Sequence, residues 1–200
     1  MGKKMKVMSK LLLGAVVGVS LFAGGNSVAA GSIDDGTDHG GVFDNIPVYV
    51  KSYEDKSYAL TWSKVANMDE VSMQKTTNDD SQKWVMKYDK ATNTYKLQTY
   101  SQYFTSTGMQ YGYLHSSSGF DVNSDRIVGA IPSSKPVEAQ QWKIRHLGMV
   151  SGKGNVYRLI NNHEQRVLSH RGTLLGDNNY LVTQEFNDAS YQTFILTSAR

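Results

Sequence analysis

The sequence predicts an all-β domain built from three four-stranded repeats, and three observations carry that expectation. Gln82-Lys83-Trp84, Gln140-Gln141-Trp142 and Gln192-Thr193-Phe194 each place a Gln two residues before a large aromatic. An apolar residue follows each aromatic two further on, as Met86, Ile144 and Leu196; in an extended strand residues spaced by two share a face. From Pro47 onward, short apolar runs alternate with clusters of Asn, Asp, Gly and Ser. The closing aromatic stands at 84, 142 and 194, spacings of 58 and 52 residues. Such periods mark a supersecondary unit that cannot bury its apolar face alone. A propeller needs roughly four or more blades, so three units must pool their cores in a closed threefold arrangement.

The chain before those repeats reads differently. It opens "MGKKMKVMSK", continues "LLLGAVVGVSLFAGG" and reaches "NSVAA": a basic segment, an apolar segment and a small-residue cleavage site. Residues 1–30 are therefore expected to be a signal peptide cleaved after Ala30, which makes the mature protein secreted and extracellular. The apolar run is short for a membrane span, and no Cys follows to carry a lipid, so no stable membrane anchor is expected. Removing Lys3, Lys4, Lys6 and Lys10 leaves 17 basic against 18 acidic residues, a net charge of −1 instead of +3. The basic character of the whole chain thus belongs largely to the leader and gives no ground for a nucleic-acid or anionic-membrane partner. There is no Cys, so an exported domain of this length must rely on its core, which about 155 residues can supply. Residues 31–45, "GSIDDGTDHGGVFDN", read as a flexible Gly- and Asp-rich tail.

In the first repeat, about 46–91, strands are expected at 48–51, 58–61, 71–74 and 84–88. The second, about 92–151, has candidates at 95–99, 112–115, 127–130 and 142–146. The third, 152–200, has them at 156–160, 166–170, 180–184 and 193–197. Tyr, Val, Ile, Thr and Trp are enriched in these runs, which favours strand over helix. Val65, Met68 and Val71 have helical spacing, but their stretch is read as strand.

With three Gln-x-aromatic motifs in register, the chain resembles the ricin-type β-trefoil lectin family over residues 46–200. The resemblance implies that Trp84, Trp142 and Phe194 pack in a shared core. It also implies that Gln82, Gln140 and Gln192 tie the preceding turns through backbone hydrogen bonds, as a buried amide must. It further implies a non-catalytic module for a cell-surface glycan or glycoprotein, in some members the targeting subunit of a toxin with a partner chain. The sugar-binding half of the pattern is replaced. Thr61, His115 and Ser169 stand where an Asp follows the second-strand Leu. Gln74, a position near Ala130, and Gln184 stand at the aromatic platform. Ser81, Ala139 and Tyr191 precede the Gln where Asn is common. The usual galactose sites are therefore expected to be missing.

Two other segments are candidates for ligand binding. "YSQYFTSTGMQYGY" gathers Tyr103, Phe104, Tyr111 and Tyr113 in a loop between the first two strands of repeat two, a composition suited to sugar stacking or a protein partner. The alternative to glycan recognition is a protein-interaction or protease-inhibitor trefoil acting through residues 100–113. "SHRGTLLGDNNY" brings His170, Asp177 and Asn178 close in sequence. Catalytic readings fail: "HEQRVLSH" lacks a His one helical turn after His163, because position 167 is Val. The mature chain has no nucleophile elbow, no phosphate-cradling Gly loop and no thiol. His39 has no second ligand at a regular spacing. No enzyme activity, metal or cofactor is expected. Trp62 is the Trp outside the repeat motif, read as core or rim packing in preference to stacking.

Overall fold

A computed structural model describes residues 42–65, 68–120, 125–132, 137–171 and 180–199. Repeat one contributes β1 (Pro47–Ser52), β2 (Tyr58–Val65), β3 (Met68–Lys75) and β4 (Trp84–Asp89). Repeat two contributes β5 (Thr94–Thr99), β6 (Tyr103–Thr105), β7 (Gly108–Gln110), β8 (Tyr113–Phe120), β9 (Arg126–Ile131) and β10 (Trp142–Val150). Repeat three supplies β11 (Gly154–Asn161), β12 (Val167–His170), β13 (Leu181–Gln184) and β14 (Phe194–Ser198). Each of the twelve expected strands is present, including the stretch with helical spacing, where Val65 pairs with Met68 across the β2–β3 hairpin.

The first and last strands of the repeats close a six-membered antiparallel ring, β1-β4-β5-β10-β11-β14 and back to β1. Closure removes sheet edges. The middle strands form three hairpins, β2–β3, β8–β9 and β12–β13. They meet through β3–β9, β9–β13 and a Ser72–Tyr180 bridge, capping the barrel. This is a β-trefoil.

Period-two alternation sends the expected side chains inward. Trp84, Trp142 and Phe194 are fully buried, with Val50, Leu97 and Leu159 from the first strands and Leu60, Leu114 and Leu168 from the cap. The indole N–H of Trp84 donates to the Leu60 carbonyl at 3.0 Å and that of Trp142 to the Leu114 carbonyl at 2.9 Å. Each motif Gln begins where a short 3-10 turn ends, at Asp80–Gln82, Val137–Gln140 and Ser190–Gln192. Gln82 Oε1 accepts from the Thr77 amide at 2.8 Å, and its Nε2 donates to the Lys75 carbonyl at 2.8 Å. Gln192 repeats this with the Asn187 amide (3.1 Å) and the Glu185 carbonyl (2.9 Å). Gln140 Nε2 donates to the Pro132 carbonyl at 3.0 Å. The buried amide thus turns the chain from third strand to fourth.

The tail expectation needs correcting at its end. Residues 31–41 lie outside the described residues, but 42–45 form a docked turn and not a free segment. The Phe43 ring stands 5.5 Å from Tyr157 and 6.4 Å from Tyr95, edge-on to both. The Asn45 amide donates to the Met86 carbonyl at 2.7 Å, and Asp44 accepts from the Tyr88 amide at 2.9 Å. The barrel mouth away from the cap exposes tyrosine faces, and Phe43 covers them.

Candidate functional site

The link between the first two strands carries eight extra residues in repeat two. The link from first to second strand is 53–57 in repeat one and 162–166 in repeat three, five residues each, whereas in repeat two it is 100–112, thirteen residues. Its neck is pinned by Thr99, whose Oγ donates to the Ser101 carbonyl and accepts from the Gly112 amide, at 2.9 and 3.0 Å. A Cβ on Gly112 would sit 3.2 Å from the Thr99 methyl and 3.3 Å from the Tyr103 ring, so any side chain there makes its neighbours give way.

Beyond the neck the chain forms its own hairpin. β6 pairs with β7 in the register Tyr103–Gln110, Phe104–Met109 and Thr105–Gly108. Gly108 takes φ +112° to close the turn, a conformation that a side chain disfavours. Thr105 Oγ donates to the Gly108 carbonyl at 2.8 Å and accepts from the Thr107 amide at 3.2 Å, while Gln110 Nε2 donates to Thr107 Oγ at 2.5 Å. The polar groups of the turn are bonded to one another.

Alternation separates the aromatics that composition had grouped. Tyr103 is 6% exposed, its ring 5.0 Å from that of Trp62, so it is removed from the candidate ligand contacts: it covers the Trp62 rim. Tyr113 is also corrected. It is half-buried at the hairpin base, its hydroxyl 3.5 Å from Gln98 Oε1 and its ring under Lys96 Nζ at 5.7 Å. Phe104 points outward at 74% exposure beside Met109 at 47%, and Tyr111 is 37% exposed. Tyr100, also exposed, carries Lys83 Nζ 5.1 Å from its ring centre.

The second candidate group divides too. Asp177 and Asn178 lie outside the described residues. His170 is 3% exposed and is a seam residue, not a surface ligand contact. Its Nε2 lies 3.5 Å from Ser52 Oγ and 3.4 Å from Glu54 Oε2. Burial pushes its pKa below the ordinary value, with Glu54 opposing the shift. The trio is not a nucleophilic triad, because acid and hydroxyl address the same ring nitrogen while Nδ1 is buried without a partner. Ser52 is fully buried, and its Oγ already accepts the Glu54 amide.

At the positions after the second-strand Leu, Thr61 and Ser169 are buried and donate to the carbonyls of Ala59 and Val167. His115 is half-buried with a pKa lowered by burial. No carboxylate stands at these three positions. Among the described residues no group of three His, Cys, Asp or Glu is arranged to hold a metal ion.

A polar network between repeats two and three was not read from the sequence. Buried Asp125 accepts from Arg166 (3.2 Å), Gln184 (2.6 Å) and Arg171. Glu164 meets Arg126 Nε at 2.6 Å and accepts from Ser116 and Thr183 at 3.2 and 3.3 Å. Its members come from four separate segments, so only the strand pairing brings them together.

No family model matches the chain, and no curated protein does. Solved structures do. A mosquitocidal holotoxin is 20% identical with a TM-score of 0.61, covering 78% of this chain and 17% of that one. The designed threefold-symmetric protein ThreeFoil is 17% identical (TM-score 0.56; 76% and 98% covered). A ricin B-like lectin from Macrolepiota procera, solved with lactose, is 10% identical (TM-score 0.55; 78% and 96% covered). The chain therefore spans less than a fifth of the holotoxin but nearly all of the two smaller proteins. At these identities the likeness shows the fold alone, that of a β-trefoil.

Proposed function

We propose that the protein is a secreted, non-catalytic module that recognises a cell-surface glycan or glycoprotein through the repeat-two hairpin, as the targeting subunit of a toxin. The observation that carries this is the thirteen-residue link where five suffice, folded into a hairpin with Phe104 and Met109 turned outward. Lone exposed apolar side chains are ordinary, but two set side by side on a protruding hairpin make a candidate contact surface. The signal-like residues 1–30 support export, and lectin and toxin trefoils among the similar structures support recognition without chemistry. Simple sugars need a few placed polar groups and a stacked ring. The replaced positions at Thr61, His115 and Ser169 therefore argue against galactose in the three repeat pockets. The alternative, protein interaction or protease inhibition through 100–113, is favoured by the internally bonded turn, which offers a partner mainly apolar surface.

The test replaces Phe104 and Tyr111 by Ser and measures binding to whole target cells, with a lactose titration of the parent. Binding should fall in the variant and resist lactose. Unchanged cell binding, or competition by micromolar lactose, overturns the reading. A pull-down from the producer's culture medium tests the toxin role by recovering a partner chain.

A further inference from the structure

We infer that the outer wall of repeat three carries a second ligand site, for a neutral pyranose ring, built from Phe186, Asp188 and Arg158; this rests on the reading of the protein as a glycan-recognition module and adds a sugar contact apart from the hairpin. On β11, alternation turns Leu159 into the core and Arg158 to the outside of the barrel. The link from β13 to β14 folds back over Arg158. The guanidinium carbon lies 4.2 Å from the centre of the Phe186 ring, and Asp188 Oδ1 accepts from Arg158 Nη2 at 3.0 Å. Arg158 is thereby buried, whereas Phe186 stays 57% exposed and the Asp188 side chain is largely open to solvent. Gln184, at the platform position of the usual pocket, instead donates to Asp125 of repeat two at 2.6 Å, so the site is not that pocket.

Repeat one shows that the fold does not demand this arrangement. Its link closes on Gln82 as this one closes on Gln192, with Thr77 and Asn187 giving equivalent amides. In that register Thr76 stands for Phe186 and Asn78 for Asp188, and the last two share a left-handed backbone at φ +64° and +59°. Tyr49 stands for Arg158, since Val48 and Tyr157 pair alike with the closing aromatics. Repeat one thus makes the same turn with three neutral side chains. The exchange in repeat three is costly by itself, because Arg158 Nε is buried without a hydrogen-bond partner. It secures a ring and a carboxylate held side by side at the surface. Asp188 Oδ2 accepts nothing among the described residues and is left for hydroxyl donors. Arg158 and Asp188 cancel in charge and Glu185 beside them is exposed, so an anion gains little there. The ring already carries a cation, which disfavours a second. A neutral sugar fits both conditions, with a C–H face for the ring and hydroxyls for the carboxylate.

The experiment is saturation-transfer difference NMR of the mature protein with glucose, galactose, mannose, N-acetylglucosamine or fucose, and with sialic acid as the anionic counterpart, each at millimolar concentration. At least one neutral sugar should receive saturation, strongest on its ring C–H protons. Phe186→Ala should abolish that signal and Phe186→Tyr should keep it. Asp188→Asn, which tolerates the left-handed backbone and still accepts from Arg158, should weaken binding roughly tenfold. All three variants should melt close to the parent, since both substituted side chains are exposed. Absence of signal from every neutral sugar overturns the inference, as does signal from sialic acid alone or an undiminished signal in Phe186→Ala. If the sugar signal survives Phe186→Ala but is lost when Phe104 and Tyr111 are replaced by Ser, the hairpin reading stands and the repeat-three site falls. If the signal depends on Phe186 while the hairpin variant binds cells like the parent, the repeat-three site stands and the hairpin reading falls.

Discussion

Gln82 divides its amide between the turn it closes and the Thr61 hydroxyl of β2, and that role sets what single substitutions should do. Trp84→Ala and Trp142→Ala each remove a fully buried indole and leave the Leu60 or Leu114 carbonyl without its donor, so each should cost about 3–5 kcal/mol in denaturant unfolding. Parent-like melting of both variants contradicts the core assignment. Phe43→Ala should cost about 1–3 kcal/mol, less than full burial implies because the ring is half-buried, while removal of residues 1–41 should leave the melting transition nearly unmoved. The Gln-x-aromatic triplet was legible because three copies in register repeat a pattern that one copy would not establish. Phe43 was not. It sits in a Gly- and Asp-rich stretch whose composition outweighs one aromatic, and only the barrel mouth formed with Tyr95 and Tyr157 gives it a place. Ser52, Thr99 and Asn161 were equally hidden. Each is buried at the end of a first strand and stitches the following link by side-chain hydrogen bonds, yet small polar residues at strand ends resemble ordinary turn formers.

At the scale of elements, the strands were readable wherever one face is buried and the other wet, because period two then appears directly in the sequence. β6 and β7 escaped that reading. Tyr103 and Phe104 are adjacent and both aromatic, so no alternation shows, although one faces Trp62 and the other solvent. The aromatic cluster pointed to the right segment, but composition cannot assign faces, which is why two of its four tyrosine and phenylalanine candidates proved to be packing residues. The hairpin's seat depends on Gly112. Gly112→Val places methyl groups where the Thr99 side chain, the Tyr103 ring and the Ala130 backbone already lie within 3.4 Å, and should displace Tyr103 from Trp62. Overpacking of this kind costs about 1–3 kcal/mol. Trp fluorescence should report it, because Trp62 gains water while Trp84 and Trp142 stay in the core; an unchanged emission spectrum would mean that the hairpin is not held through this neck.

Across the whole molecule, the link of each repeat presses onto the second strand of the repeat before it, making three related seams. The link of repeat two meets β2 through Tyr103 and Trp62, that of repeat three meets β8 through Glu164 and Ser116, and that of repeat one meets β12 through Glu54 and His170. The first seam is aromatic and has no titrating partner near neutral pH. The other two hold His115 and His170, whose pKa values burial lowers from 6.5; Glu164 and Glu54 oppose the shift, and His163 adds to it at His115. Above the unfolded value both rings are neutral in either state and contribute no pH dependence. As pH falls below it, the unfolded chain takes up protons that the folded protein resists, so stability declines, levelling off only below the folded pKa values. Lysines and arginines do not titrate in this window. His170→Gln keeps a side-chain donor for Glu54 but cannot titrate, so its unfolding free energy, measured in denaturant from about pH 7 to about pH 5, should fall less steeply than the parent's. Superimposable slopes would show that the β12 seam does not sense acid, and a steeper slope in the variant would reverse the sign assigned to His170.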